Sequence, residues 1–175
     1  MINVAFPPEY GWVLIASVTA AFQTLFVGFV AGGSRKATFN PEFMENEFGK
    51  IHRDAFGPES APDKEGYPDH GQGRYALALP YKAWYEFNLR QRCHGNVLES
   101  ISQLVLYSLI AGIKFPLTSA VITLIYILAR IVFVMGYLSD PKYRLRGFAP
   151  SMACMTTLMV LAFVSLFQIL GDKKD

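Results

Sequence analysis

Hydrophobic and polar positions divide this chain into three long uncharged runs, one striped run and one polar stretch. Residues 12–34 carry no charged side chain, residues 115–139 carry Arg130 alone, and residues 147–171 carry none. A helix needs about 20 residues to cross the hydrocarbon of a bilayer, so each run predicts a spanning helix. A fourth helix is predicted over 84–113. Its second half, Ile101 to Ile113, is apolar, while its first half holds Arg90, Arg92 and Glu99 with Asn88, His94 and Asn96 between them. The predicted class is an all-α membrane protein, a four-transmembrane-helix bundle.

Polar positions in the fourth run are ordered. Tyr85, Asn88, Arg92, Asn96, Glu99 and Gln103 step by three or four residues, which makes one continuous stripe on a helix. Ionisable groups at membrane depth are costly and face a bundle interior or a wet cavity. A stripe with a cation, an amide and a carboxylate suits a ligand that bears both charges. The same stripe also fits an ordinary salt-bridge seam between helices, and spacing does not separate the two.

Residues 37–83 are of another kind. They hold Pro41, Pro58, Pro62, Pro68 and Pro80, many charges and the turn Gly71-Gln72-Gly73. Within them, 41–56 predicts a short surface helix with Phe43, Phe48, Ile51 and Phe56 as its contacts. The apolar ALALPY of residues 76–81 is expected to return to the membrane interface. Pro116 suits the first turn of the third span, where a missing N–H costs nothing. Asp140-Pro141 marks the turn before the basic segment Lys142 to Arg146. The organisation expected is one four-span domain over 1–175, with 37–83 as an extended loop between spans one and two.

Composition supports a membrane class: 52% of residues are hydrophobic and 14% aromatic, above ordinary soluble usage. A net charge of +2 leaves no broad surface for nucleic acid. Two cysteines, Cys93 and Cys154, make no disulfide framework. His52 and His70 have no metal-ligand spacing around them, and no phosphate-binding glycine loop or serine triad is present, so no metal site is expected. The first run lacks the basic leader of a cleavable signal. Lysines and arginines gather in 35–82 and 142–146, which predicts both loops on the cytoplasmic side and the termini opposite.

These residues resemble a known family. Arg92-x-His94-x-Asn96-x-x-Glu99 is similar to the second-helix motif of the membrane-associated proteins in eicosanoid and glutathione metabolism (MAPEG). Residues 129–137, ARIVFVMGY, resemble that family's third helix, and Arg144-Leu145-Arg146-Gly147 the basic loop after it. The opening Glu9-Tyr10-Gly11-x-Val13-Leu14 looks most like the type 3 microsomal glutathione S-transferases.

The resemblance implies a homotrimer of four-helix subunits in the endoplasmic reticulum or mitochondrial membrane. It implies glutathione as co-substrate, bound between subunits near the cytoplasmic face. The second substrate is then a lipophilic electrophile or lipid hydroperoxide arriving through the membrane lipid. By matching position, Arg92, Asn96 and Glu99 would hold the tripeptide's charged ends, with Arg130 and Tyr137 adding contacts from a neighbour. Arg35 would lie near the thiol. Arg144 would be the catalytic residue that activates the thiol, with Arg146 the competitor for that role. Phe133 stands where many members have tyrosine, Ser100 replaces a bulky residue, and the first loop is longer than the family's.

Each match has a structural counterpart. Arg130 and Glu99 are also suited to pair within the bundle. Arg144 and Arg146 are also suited to set topology by touching lipid phosphates. Two functions follow. One is a microsomal-type glutathione S-transferase or peroxidase. The other is a catalytically silent, MAPEG-like structural subunit that meets partners of a larger membrane complex through 37–83.

Overall fold

The computed structural model describes residues 6–171, and among them every regular element is helical. The helices are α1 (Tyr10–Thr38), α2 (Pro41–Phe56), the single turn α3 (Arg74–Leu77), α4 (Tyr81–Gly112), α5 (Pro116–Ser139) and α6 (Leu145–Gly171), with a 3-10 turn at Pro141–Arg144 before α6. Among the described residues α1, α5 and the segment Pro141–Gly171 are long and apolar enough to cross a membrane. The fourth expected span, α4, has 32 residues, and the charges of its first half keep it below that composition. Pro116 opens α5 as expected.

The described residues form two compact units, 6–26 with 96–171, and 27–95. In the first, four helices share one core. Ala20 comes from α1, Leu104 and Ala111 from α4, Tyr126 and Ile127 from α5, and Leu158 and Ala162 from α6. Lipid is as apolar as leucine, so helices in a bilayer associate through close backbone approach and hydrogen bonds. Both devices are present. Gln23 Nε2 donates to Ile127 O at 2.9 Å, Tyr10 OH to Leu109 O at 2.9 Å, and Ser165 Oγ to Ala111 O at 3.2 Å. Ser108 and Thr123 share a hydrogen bond at 2.8 Å. At Gly147 a Cβ would collide with the α5 backbone at Ala129 and Phe133. This contact brings α6 against the turn of α5 that carries Arg130. Val18, Phe22, Leu25, Leu128 and Phe167 remain exposed, a costly surface in water and an ordinary one in hydrocarbon.

The second unit has its own core of Phe39, Met44, Phe48, Ala76, Leu79 and Phe87. Helix α2 forms where expected. Asn40 caps it by accepting from Phe43 N at 2.9 Å, Pro41 fills its first position, and Gly57 ends it at φ +105°. Its contacts differ in part from expectation. Met44 and Phe48 are buried, but Ile51 and Phe56 are 44% and 75% exposed. Ile51 shares the helical face of Met44, and that face runs a turn beyond the core that covers it. ALALPY is divided: Ala76 and Leu79 enter the core, while Leu77 and Tyr81 stay exposed.

Two charges order the 57–73 segment. The Arg35 guanidinium donates to the carbonyls of Glu65, Gly66 and Asp69 at 3.1, 2.9 and 2.6 Å, and lies 3.9 Å from the Tyr67 ring centroid. Asp69 Oδ1 accepts from the N–H groups of Gly71 and Gly73 at 2.7 and 2.9 Å, and Oδ2 from Ala76 N at 2.8 Å. Burial alone would raise the Asp69 pKa. The N–H groups of Ala76, Gly71, Gly73 and Tyr75 outweigh it and hold the carboxyl below its ordinary range.

Two outcomes are expected. Gly147→Ala forces α5 and α6 apart and should cost about 1–3 kcal/mol, measured as a lower thermal midpoint in detergent. The folded-state pKa of Asp69 is depressed, so its stabilisation is present above the unfolded value of about 3.9 and is lost as pH falls through the lower folded value. Amide exchange at Gly71, Gly73 and Ala76 should therefore accelerate only below about pH 4.

Candidate functional site

Arg130 is the centre of the first unit's polar chemistry. It sits mid-way along α5 and is 1% exposed. A buried guanidinium must find acceptors, and here they come from two helices. Nε donates to Tyr126 OH at 2.9 Å, Nη1 to Asn96 Oδ1 at 2.7 Å and Nη2 to Ser100 Oγ at 2.8 Å. Tyr126 precedes Arg130 by one helical turn, and Asn96 and Ser100 are one turn apart on α4, so helical spacing alone makes each pair share a face. The guanidinium carbon lies 5.1 Å from the Tyr126 ring centroid and 5.3 Å from that of Phe133. All three acceptors are neutral dipoles, so these partners solvate the positive charge without cancelling it.

A cleft of about 350 Å³ opens beside this group. Its polar end is Asn96, Glu99, Ser100 and Arg130. Gln103 and Tyr107 continue it along α4, and Phe148, Met152, Met155 and Met159 form the wall on α6. Asn96 Nδ2 reaches Glu99 Oε2 at 3.5 Å, so the amide shows its oxygen to Arg130 and its nitrogen to the carboxylate. The cleft thus offers a cation, an amide and an anion at one end, and polarizable, adaptable thioethers along the rest.

The first unit brings Asn96, Glu99 and Arg130 together within one chain, whereas Arg130 was expected to reach the site from a neighbouring copy; the turn spacing of α4 and α5 lets its guanidinium bond Asn96 of its own chain instead. Tyr137 is half-buried on α5, its ring 5.6 Å from that of Phe133. Arg144 closes the 3-10 turn, where its Nη1 donates to Pro141 O at 2.9 Å. Arg146 opens α6 with its guanidinium 4.2 Å from the Tyr143 ring centroid. Both arginines are exposed. The preceding turn is tied by Asp140, which accepts from Lys142 N at 3.0 Å and pairs with Lys142 Nζ at 2.9 Å. Lys142's backbone and side-chain hydrogen bonds hold the Asp140 carboxyl below its ordinary range. Arg92 is exposed on the part of α4 that belongs to the second unit. Arg35 also lies in that unit, where its donors go to the three loop carbonyls.

A family model for the MAPEG family matches residues 13–164. The chain belongs to the MAPEG family. The family includes glutathione transferases as well as non-catalytic members. In this MAPEG chain the matched span takes in all of the first unit's cleft and the whole of the 37–83 insertion.

Sequence reasoning did not find the methionine wall. The signal was there, because Phe148, Met152, Met155 and Met159 recur at helical spacing, but the same pattern serves plain packing. Nor did it assign Ser100 and Tyr126 to the guanidinium. Ser100 stood out only as a small residue in a bulky position. Arg130→Met keeps most of the volume but leaves Asn96 Oδ1 without its donor, while Tyr126 and Ser100 can still bond to each other. The expected cost is about 1–3 kcal/mol, measured as a lowered melting point of the detergent-solubilised protein.

Proposed function

We propose that this protein is a membrane glutathione S-transferase, with glutathione peroxidase activity on lipid hydroperoxides as the companion reaction. The observation that carries the reading is the buried, dipole-solvated Arg130 at the polar end of a methionine-walled cleft. Glutathione has two carboxylates, one ammonium and a thiol. Arg130 and Asn96 offer donors to a carboxylate, Glu99 offers a counter-charge to the ammonium, and the apolar wall receives a lipophilic co-substrate. MAPEG membership and the opening motif favour the type 3 microsomal branch. In this reading α4 is the fourth span, three copies of the chain assemble, Arg92 and Tyr137 add to the binding set, and Arg35, first matched to the thiol region, stays with the loop carbonyls that take its donors.

The chemistry then needs no protein cysteine. Glutathione brings the sulfur, and its free thiol has a pKa of roughly 9. A guanidinium beside the sulfur favours thiolate, the nucleophilic form. Lowering the pKa by about two units takes about 2.7 kcal/mol of differential stabilisation, within reach of one close, partly desolvated arginine. Arg144 is assigned that role, with Arg146 the alternative on the same segment. In conjugation the thiolate forms a C–S bond and expels a leaving group or opens a ring. In peroxide reduction it takes the terminal oxygen and releases an alcohol, and a second glutathione yields disulfide and water.

A second reading, a non-catalytic subunit of a larger assembly, is favoured by the separate core of residues 27–95 and the uncovered apolar turn of α2 at Ile51 and Phe56. The test is glutathione titration of the purified protein, followed through the ultraviolet thiolate band and conjugation of a chloronitrobenzene. The transferase reading expects both signals in the wild type. Arg92→Ala should abolish binding. Arg144→Ala should bind but lose about fiftyfold in thiolate fraction at pH 7, as the pKa returns by about two units to roughly 9. A wild type with no band and no conjugation sinks the reading.

A further inference from the structure

The hydrogen bonds around Arg130 can be assigned direction by counting protons. A guanidinium only donates, so Tyr126 OH and Ser100 Oγ both act as acceptors toward it. These two oxygens are 2.7 Å apart, and that bond has one donor. Ser100 Oγ also reaches the carbonyls of Asn96 and Val97 at 3.2 and 3.1 Å. If Ser100 gave its proton to Tyr126, the phenol's proton would have no acceptor. If Tyr126 gives its proton to Ser100, Ser100 gives its own to the α4 backbone and every proton is placed. The chain therefore runs one way, from Arg130 through Tyr126 and Ser100 to α4. It uses the Nε and Nη2 edge of the guanidinium, and Asn96 takes one N–H of Nη1. Three of the five guanidinium N–H groups are thus engaged, two have no acceptor among the described residues, and Arg130 is one of the residues that line the cleft.

We propose that Tyr126 and Ser100 are positioning residues: their one-way hydrogen-bond chain fixes the plane of the Arg130 guanidinium so that its two remaining N–H groups meet a ligand carboxylate in the cleft. The proposal deepens the glutathione reading and rests on it. A long side chain on a helix has several rotamers, and pre-fixing one lowers the ordering cost of binding. The aromatic rings of Tyr126 and Phe133 hold the same plane by contact with the guanidinium. Each hydroxyl acts through Arg130.

The experiment compares glutathione with its diethyl ester, which has the same body without free carboxylates. Binding of both is measured by calorimetry on the full-length protein in detergent, for wild type, Arg130→Ala, Tyr126→Phe, Ser100→Ala and the double variant. The wild type should prefer glutathione. Tyr126→Phe and Ser100→Ala should each reduce that preference by about tenfold, or about 1.4 kcal/mol. The double variant should lose little more than either single one, because the two hydroxyls form one chain. Ser100→Thr, which keeps the hydroxyl, should restore the preference. Equal weakening of glutathione and ester would mean a merely structural role and overturns the proposal. So does a wild-type preference in Tyr126→Phe and Ser100→Ala alongside its loss in Arg130→Ala. A wild type that binds neither compound fails the glutathione reading itself, a different result.

Discussion

A full positive charge inside a helix bundle constrains everything around it. Arg130 cannot shed its proton, and a buried cation without acceptors is costly. The surrounding residues answer with neutral oxygens: a phenol from the previous turn of α5, and a hydroxyl and an amide from α4. This choice keeps the guanidinium solvated yet still positive. A carboxylate clamped directly on it would have solved the burial problem and removed the site's ability to attract an anion.

The placement of α6 follows from the same constraint. Gly147 lets its backbone reach α5 beside Ala129 and Phe133, so Phe148 and the methionines beyond it line the space next to the charge. One side of that space is polar and the other apolar. The polar end lies on helices whose outer faces stay apolar, so the membrane holds the site's scaffold while its chemistry stays inside.

The second unit uses charge for shape. Arg35 and Asp69 are both buried, and both spend their hydrogen bonds on backbone groups of the 57–76 segment. A loop rich in proline and glycine has little regular structure to satisfy its carbonyls and N–H groups. One guanidinium collects three carbonyls and one carboxylate collects three N–H groups, and the segment closes over Phe39, Met44 and Phe48. Arg35 matched a family position near the thiol, and its visible work here is to hold this loop.

Much was legible in the chain alone, and for definite reasons. The uncharged runs give α1, α5 and α6 because helical backbone satisfies itself in lipid. The cap Asn40-Pro41 and the stop at Gly57 give α2, since these act within a few residues. The stripe on α4 gives Asn96 and Glu99 on one face. What sequence could not show was which face met which helix. Ser100, Tyr126 and Arg130 are separated by 26 and 4 positions, and only folding makes them one chain. Ile51 and Phe56 read as contacts of the short surface helix, yet the cover stops short of them. Local periodicity decides which side of a helix is apolar. The tertiary structure alone decides what lies opposite, because that depends on close approaches such as Gly147 against α5, which leave no periodic trace.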